Sequence, residues 1–315
     1  MKIEQQVSAF RPRQPKIRFG PSGIHIFERA SGINLLVDEI IPPLAKWAIV
    51  PRQVSIALTN ACDLDCPYCF APKTRATLPF DRVVSWLNEL DANGTLGVGF
   101  GGGEPTLYRR FIDLCAYATN HTNLAVTFTT HGHHLEDAFL AALNGKVHFI
   151  RVSMDGIGAT YERLRGRPFK SLEKRLDAIG KIMRFGINYV VNADTLNDIE
   201  NAAMFAERVG ASEFLLLPEH PVKGRAKLTD NTANALRAWV SQYAGGLRLA
   251  VSENGADGMP TCDPLPNEIG LQAYAHIDAN GVLKRTSFDC EGVDIGGGNI
   301  LSALHQLKQL TEITK

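Results

Sequence analysis

The chain has 315 residues, 45% of them apolar, and its 33 basic and 33 acidic side chains leave no net charge at neutral pH. A chain of this length can bury a large core, as one big domain or one with a small appendage, and its balance argues against disorder and against a polyanionic partner. No stretch approaches the length of a membrane span and the first residues lack an apolar signal region, so neither a membrane nor an export signal is expected.

The first twenty residues hold Lys2, Arg11, Arg13, Lys16 and Arg18 against Glu4. So short a patch reads as a flexible basic arm rather than a nucleic-acid-binding surface. Gly23–Phe27 predicts a strand, and residues 32–39 predict another strand or a short helix. Residues 1–51 are set apart as an N-terminal extension, too short for a complete winged-helix peptide-recognition domain.

Strand-like and helix-like segments then alternate. Strands are predicted at Gln53–Leu58, Gly97–Phe100, Leu124–Thr129, His148–Ser153, Ile187–Ala193 and Glu213–Leu217. Helices are predicted at Phe80–Asp91, Leu107–Thr119, Glu136–Asn144, Ser171–Phe185 and Asp198–Val209. Six βα units in one direction imply an α/β fold with a parallel sheet over residues 52–225. Right-handed crossovers let such a series curl into an incomplete barrel, with functional groups on the loops after the strands.

The loop after the first of these strands reads Ala61-Cys-Asp-Leu-Asp-Cys-Pro-Tyr-Cys-Phe70, which places Cys62, Cys66 and Cys69 close together. Thiolates are soft ligands that favour zinc, copper(I) or iron–sulfur. Structural zinc wants four ligands, commonly as two separated pairs, and no second pair lies nearby. A cubane cluster is usually held by four cysteines, so three leave one iron open to another ligand. Iron–sulfur is the preferred reading, with zinc completed by distant ligands as the alternative. The other thiols are Cys115, Cys262 and Cys290, too few in a chain this long to suggest a disulfide framework.

A second rim motif, Gly101-Gly-Gly-Glu-Pro105, follows the next strand. Backbone without side chains can approach a ligand closely and bond the charged ends of an amino acid. The plainer reading is a turn that closes a βα connection.

Together the two motifs resemble the radical S-adenosylmethionine (radical SAM) enzymes, whose signature is CxxxCxxC with an aromatic residue before the last cysteine, here Tyr68. Gly102, Gly103, Glu104 and Pro105 match the family's Gly-Gly-Glu-Pro segment, which lies against the methionine part of SAM. The resemblance implies a partial (β/α)6 TIM barrel and a [4Fe–4S] cluster held by Cys62, Cys66 and Cys69. S-adenosyl-L-methionine would chelate the fourth iron. A reductant such as flavodoxin or ferredoxin would supply the electron that splits SAM, and the 5′-deoxyadenosyl radical would abstract hydrogen from substrate. An oxygen-sensitive cluster would place the protein in the cytoplasm.

Further cofactor contacts are implied by the same resemblance. Thr130 lies in Thr129-Thr-His-Gly132, where related enzymes often have Thr-Asn-Gly, so His131 stands in the asparagine's place. His131, His133 and His134 could also mark a metal site, but their spacing lacks a helical i, i+4 face, and a rim loop without metal is preferred. Ser153 and Asp155 would border the ribose and carboxylate of SAM. Arg165, in Tyr161-Glu-Arg-Leu-Arg-Gly166, would meet the carboxylate, or else lie on a solvated helix face. Asn192 would contact ribose or adenine, or else only cap the turn that follows it.

Residues 226–315 resemble a small C-terminal α+β extension of the SPASM or twitch kind. The segment Pro218–Ala226 resembles the barrel exit, followed by a helix near Asn231–Tyr243 and a strand near Leu247–Val251. A hairpin over Ala273–Leu283 turning at Asn280-Gly281 comes next, then a last helix opened by Gly298-Asn-Ile300. Such tails usually carry auxiliary clusters on three to seven cysteines. This one retains only Cys262 and Cys290, and Lys284-Arg-Thr-Ser287 stands where a cysteine is often found. A degenerate extension without an auxiliary cluster is therefore expected. The rival reading makes Cys262 or Cys290 a catalytic hydrogen donor or partial ligand, whereas Cys115 reads as a small buried hydrophobe.

The function expected is hydrogen abstraction from a peptide or protein side chain, on the analogy of the Arg165-Gly166 stretch and the tail. A second reading is radical chemistry on a small molecule or nucleotide. A third, from another class, is a zinc-stabilised binding protein without catalysis.

Overall fold

The computed structural model describes residues 14–221, 228–252, 255–263 and 265–313. Its first element is an antiparallel sheet of β1 (Lys16–Gly20), β2 (Gly23–Glu28) and β3 (Ile33–Val37). Lys16 and Arg18 are thus not part of a solvated arm. Lys16 pairs with Asp91 at 2.5 Å, and Arg18 Nε donates to Glu268 Oε1 at 2.8 Å with both side chains almost fully buried. The Arg18 Nη atoms donate to the carbonyls of Gly94 and Gln272 at 3.0 and 2.9 Å. The polar face of this sheet is turned towards the rest of the molecule, and Ile17, Ile33 and Leu35 of the other face are exposed. That inversion of the usual pattern hides β1 from a reading by hydrophobicity. Lys2, Glu4, Arg11 and Arg13 lie outside the described residues.

The main body runs β4 (Gln53–Thr59), α1 (Phe80–Ala92), β5 (Gly97–Gly102), α2 (Phe111–His121), β6 (Ala125–Thr130), α3 (Asp137–Leu143) and β7 (Phe149–Ser153). It continues with α4 (Gly158–Arg165), α5 (Phe169–Ile182), β8 (Phe185–Val191), α6 (Ile199–Arg208) and β9 (Phe214–Pro218). The tail adds α7 (Asp230–Gln242), β10 (Leu249–Val251), β11 (Tyr274–Ile277), β12 (Val282–Lys284), β13 (Val293–Asp294) and α8 (Ile300–Ile313). Residues 222–226 of the expected barrel exit fall outside the described residues.

Strand alternation makes one core. Val54, Ile56 and Leu58 of β4, Val98 and Phe100 of β5, and Ile150 and Val152 of β7 are buried against Trp86, Leu87 and Leu90 of α1, Leu114 of α2, and Leu176 and Ile179 of α5. The strands from β4 to β10 are parallel and adjacent in chain order. Every crossover therefore steps the same way, and right-handedness puts the helices on one face while the sheet curls towards the other. That inner face carries Ser55, Gly99, Thr127, Arg151 and Ser153, all half-buried. Among the described residues β10 does not pair with β13, so the partial barrel stays open.

Three features depart from expectation. The tail joins the barrel's own sheet, with β10 pairing parallel to β9 and β11 parallel to β4. The hairpin of β11 and β12 closes through a three-residue loop, because Asp278 N–H donates to Val282 O and Gly281, at φ +88°, donates to Asp278 O. A two-residue turn would have paired the strands differently; here Asn280-Gly281 supplies the left-handed position of a bulged turn. Helix α4, too short for a clear period, ends at Gly166 with φ +64°. Among the described residues no helix is long and apolar enough to cross a membrane.

The buried Arg18 pair fastens the N-terminal sheet to the tail. Arg18→Ala should lower stability by about 3 kcal/mol, near the lower end for a broken buried pair because Arg52 still faces Glu268 at 3.1 Å. The shift of the urea midpoint measures it; an unchanged midpoint would contradict the role given to this pair.

Candidate functional site

The cysteine loop and the glycine motif are joined through their backbones. Gly103 N–H donates to Thr59 O and Glu104 N–H to Ala61 O, each at 2.7 Å. A Cβ on Gly103 would sit 2.3 Å from Ala61 O, and one on Gly102, at φ +127°, 2.2 Å from Thr59 O. These two glycines are required by the approach of one loop to the other. Gly101 differs, since a Cβ there would meet nothing within 4 Å. Its inner side faces open space.

Glu104 is fully buried and its carboxylate is taken up by the protein. Oε1 accepts from Thr106 N–H and from the hydroxyls of Thr106 and Thr130, and Oε2 accepts from His131 N–H at 2.9 Å. Pro105, buried, starts a single 3₁₀ turn that this carboxylate caps. Glu104 and Thr130 therefore lock the ends of β5 and β6 together, and their side chains act on the shape of the rim.

Cys66, with Cys62 and Cys69 beside it, lies in a small apolar cluster with Leu64, Tyr68, Leu164 and Val190. Cys69 N–H donates to Cys66 O at 3.1 Å, closing the tight turn that brings two of the thiols together. Burial pushes the Cys62 and Cys66 thiols up from their ordinary pKa, and at Cys66 the Arg165 guanidinium works in the opposite direction. Arg165 Nη1 stands 3.5 Å from Cys66 Sγ.

Arg165 is not on a solvated face. Its side chain is only 10% exposed and is paired with Asp155, a carboxylate with no exposure. Asp155 Oδ2 also accepts from Tyr68 OH at 2.6 Å, and Oδ1 accepts from Val190 N–H at 2.7 Å. Burial, reinforced by the Asp155 charge, pushes the Tyr68 phenol far up, so it stays a donor. Burial disfavours the Arg165 charge, but Asp155 together with the neighbouring Tyr68, Cys66 and Tyr161 outweighs it and the guanidinium stays protonated. Arg165 Nε lies buried without a partner.

His131 is buried and its Nε2 lies 2.8 Å from Asp63 Oδ1. Asp63 also pairs with Arg167 at 2.9 Å and lies 3.3 Å from His134. Burial raises the Asp63 carboxyl, but the bond and charge of His131, with smaller help from His134, outweigh it and bring its pKa down to about 2. Cys62 Sγ, an Asp63 oxygen and a His131 nitrogen fall within 4.8 Å of one another. The nitrogen and oxygen of that trio already bond each other, and Arg167 adds a positive charge beside them. His133 instead bonds Tyr161 OH at 2.9 Å.

Ser153 lies at the end of β7 on the inner face, in register with Asn188 of β8. Asn192 serves its turn with one end, Oδ1 accepting from the N–H groups of Asp194 and Thr195, while its Nδ2 is buried without a partner. Asn188 Oδ1 is also buried and unpaired. Cys262 and Cys290 are exposed, and Cys115 is fully buried on α2, where burial alone pushes its thiol up.

Residues 56–207, the stretch that holds both rim motifs, match the radical SAM superfamily. These residues form a radical SAM domain. It is 28% identical over 233 residues to an S-adenosylmethionine-dependent nucleotide dehydratase of Lacinutrix mariniflava, covering 68% of this chain and 48% of that protein. It is 28% identical over 201 residues to the sporulation killing factor maturation protein SkfB of Bacillus subtilis, covering 59% and 48%. The chain thus spans about half the length of these curated relatives. Its fold is similar to that of Streptococcus suis SuiB bound to the precursor peptide SuiA, with a TM-score of 0.74, 15% identity, and coverage of 94% of this chain and 88% of that one.

Members of this radical SAM superfamily use a [4Fe–4S] cluster and SAM. The donor set here fits both. Three soft thiols of one loop share a half-buried apolar setting, and the unpaired Arg165 Nε, Asn188 Oδ1 and Asn192 Nδ2 offer polar partners to a ligand.

Asp63 escaped the sequence reading, because its partners His131 and Arg167 are about seventy and a hundred residues away in the chain. The glycine contacts lead to a paired test. Gly103→Ala should cost about 2 kcal/mol of stability through its backbone clash, and Gly101→Ala less than about 0.5 kcal/mol. Thermal denaturation of both variants would check this, and equal effects would contradict it.

Proposed function

We propose that Cys62, Cys66 and Cys69 ligate the [4Fe–4S] cluster and that SAM binds its open iron on the rim formed by Gly101–Pro105. The single observation that carries this reading is the double backbone bond between the cysteine loop and the glycine strand, which brings the three thiols and the open side of Gly101 to one rim. The bound cofactors supply a one-electron cleavage of SAM and the hydrogen-abstracting radical. The protein's part is positioning. Asp155, through Tyr68 and Arg165, orients the loop at Cys66. Asn188, Asn192, Ser153 and the free Nε of Arg165 provide hydrogen bonds to the ribose, adenine or carboxylate of SAM, and Glu104 and Thr130 keep the rim in shape.

The substrate we infer is a peptide or protein side chain. Support comes from SkfB, a maturation protein, from PqqA peptide cyclase of Rhodopseudomonas palustris, 33% identical over 153 residues, and from the likeness in fold to SuiB. Residues 52–225 form the radical SAM core in this reading, with residues 1–51 as an extension and residues 226–315 as a twitch-like tail without an auxiliary cluster. A flavodoxin or ferredoxin in the cytoplasm would be the electron source. A second reading, chemistry on a nucleotide, is favoured by the nucleotide dehydratase relative.

Anaerobic purification tests the core of the proposal. The protein should be brown, hold about four irons per chain, and form 5′-deoxyadenosine from SAM with a reductant. Cys66→Ala should abolish that product. Zinc in place of iron, with no SAM cleavage after reconstitution, would overturn the reading. Stimulation of 5′-deoxyadenosine formation by a short peptide encoded beside the gene would support the peptide substrate, and stimulation by nucleoside triphosphates alone would support the nucleotide instead.

A further inference from the structure

Three aromatic rings from three distant segments meet beside the cysteine loop. Phe70 follows Cys69 directly. His220 lies just beyond β9 on the same C-terminal side of the barrel, and Phe288 belongs to the tail loop after β12. The rings of Phe288 and His220 are stacked, with centroids 4.3 Å apart and planes at 11°. Phe288 also meets Phe70 at 4.7 Å and 55°. One ring thus joins the tail to two parts of the rim.

The tail loop is braced to present that ring. Thr286 N–H and Oγ1 donate to the two oxygens of Asp289 at 3.1 and 3.0 Å, and Phe288 N–H donates to Thr286 Oγ1 at 3.2 Å. Arg285 pairs with Asp289 at 3.4 Å. The stretch 284–287 contains no thiol, and Cys290 is exposed. What this loop contributes is therefore a side chain held by a small hydrogen-bonded turn. Phe70 is still 43% exposed, so Phe288 covers one side of a ring that solvent otherwise reaches.

We propose that Phe288 is a positioning residue that, clamped between His220 and Phe70, holds the tail loop against the Cys69 end of the cluster loop and keeps water and dioxygen from the iron ligated there. The proposal rests on the reading of Cys62, Cys66 and Cys69 as cluster ligands. The clamp acts through the backbone of Phe70 and Cys69, because a displaced Phe70 ring would free the last ligand of the loop to move.

The test uses the full chain reconstituted anaerobically, with iron content, SAM binding and the loss of cluster absorbance in air as readouts. Phe288→Ala should take up as much iron as the unaltered protein and unfold at the same urea concentration. Its cluster should bleach in air about fivefold faster, the gain in open population expected from losing an aromatic pair. Phe288→Tyr should restore the slow rate, and Cys290→Ala should leave it unchanged, which separates the ring from the neighbouring thiol. His220→Ala removes the other half of the stack and should also speed bleaching, which keeps the test open if Phe288→Ala fails to fold. Bleaching of Phe288→Ala or His220→Ala at the unaltered rate would overturn the clamp alone. No iron uptake by the unaltered chain would overturn the cluster reading and the clamp with it.

Discussion

A buried carboxylate that must be neutralised organises the rim. Asp155 is taken out of water at the end of β7, where an unpaired charge would be very costly. It is compensated from three directions, by Arg165 of α4, by the Tyr68 hydroxyl of the cysteine loop and by Val190 N–H of β8. Each partner is placed by a different part of the chain. Removing any one leaves the others facing an undercompensated charge, so the helix after β7, the cysteine loop and the top of β8 are held in one arrangement. The reach of Arg165 to Cys66 carries that arrangement to the sulfur itself.

The opposite side of the rim is organised by closeness. Gly102 and Gly103 let β5 lie against Thr59 and Ala61 at a distance no side chain permits, and Glu104 then gathers Thr106, Thr130 and His131. Between these two sides the barrel's inner face mixes small and polar residues such as Ser55, Gly99, Thr127 and Ser153 with larger ones such as Phe149, Arg151 and Leu215, while its outer face is packed with Val, Ile, Leu and Phe.

The central architecture could be read from the sequence because the core strands place Val, Ile and Phe at alternate positions and the helices keep a 3.6-residue spacing, as in α1 with Val83, Trp86, Leu87 and Leu90 buried. The three thiols and the glycine motif were legible because both are local. What was not legible depends on distant partners. Lys16 and Arg18 look like a basic arm until Asp91 and Glu268 are brought to them. Arg165 is assigned either to a ligand carboxylate or to a solvated face by sequence, and neither reading contains its pairing with Asp155. Asn192 is assigned either to its turn or to a ligand by sequence; its Oδ1 serves the turn, and its Nδ2 is buried without a partner. The addition of β10 and β11 to the barrel's sheet depends on edge pairing between segments far apart in the chain, which no local pattern encodes.

The proposed binding of SAM to an iron held by the three-thiol loop is tested most directly by the electron paramagnetic resonance spectrum of the anaerobically reconstituted, reduced protein, recorded before and after SAM is added. The expected result is the signal of a reduced [4Fe–4S] cluster whose g-values shift when SAM binds. A cluster signal that SAM leaves unchanged, or no cluster signal at all, would contradict it.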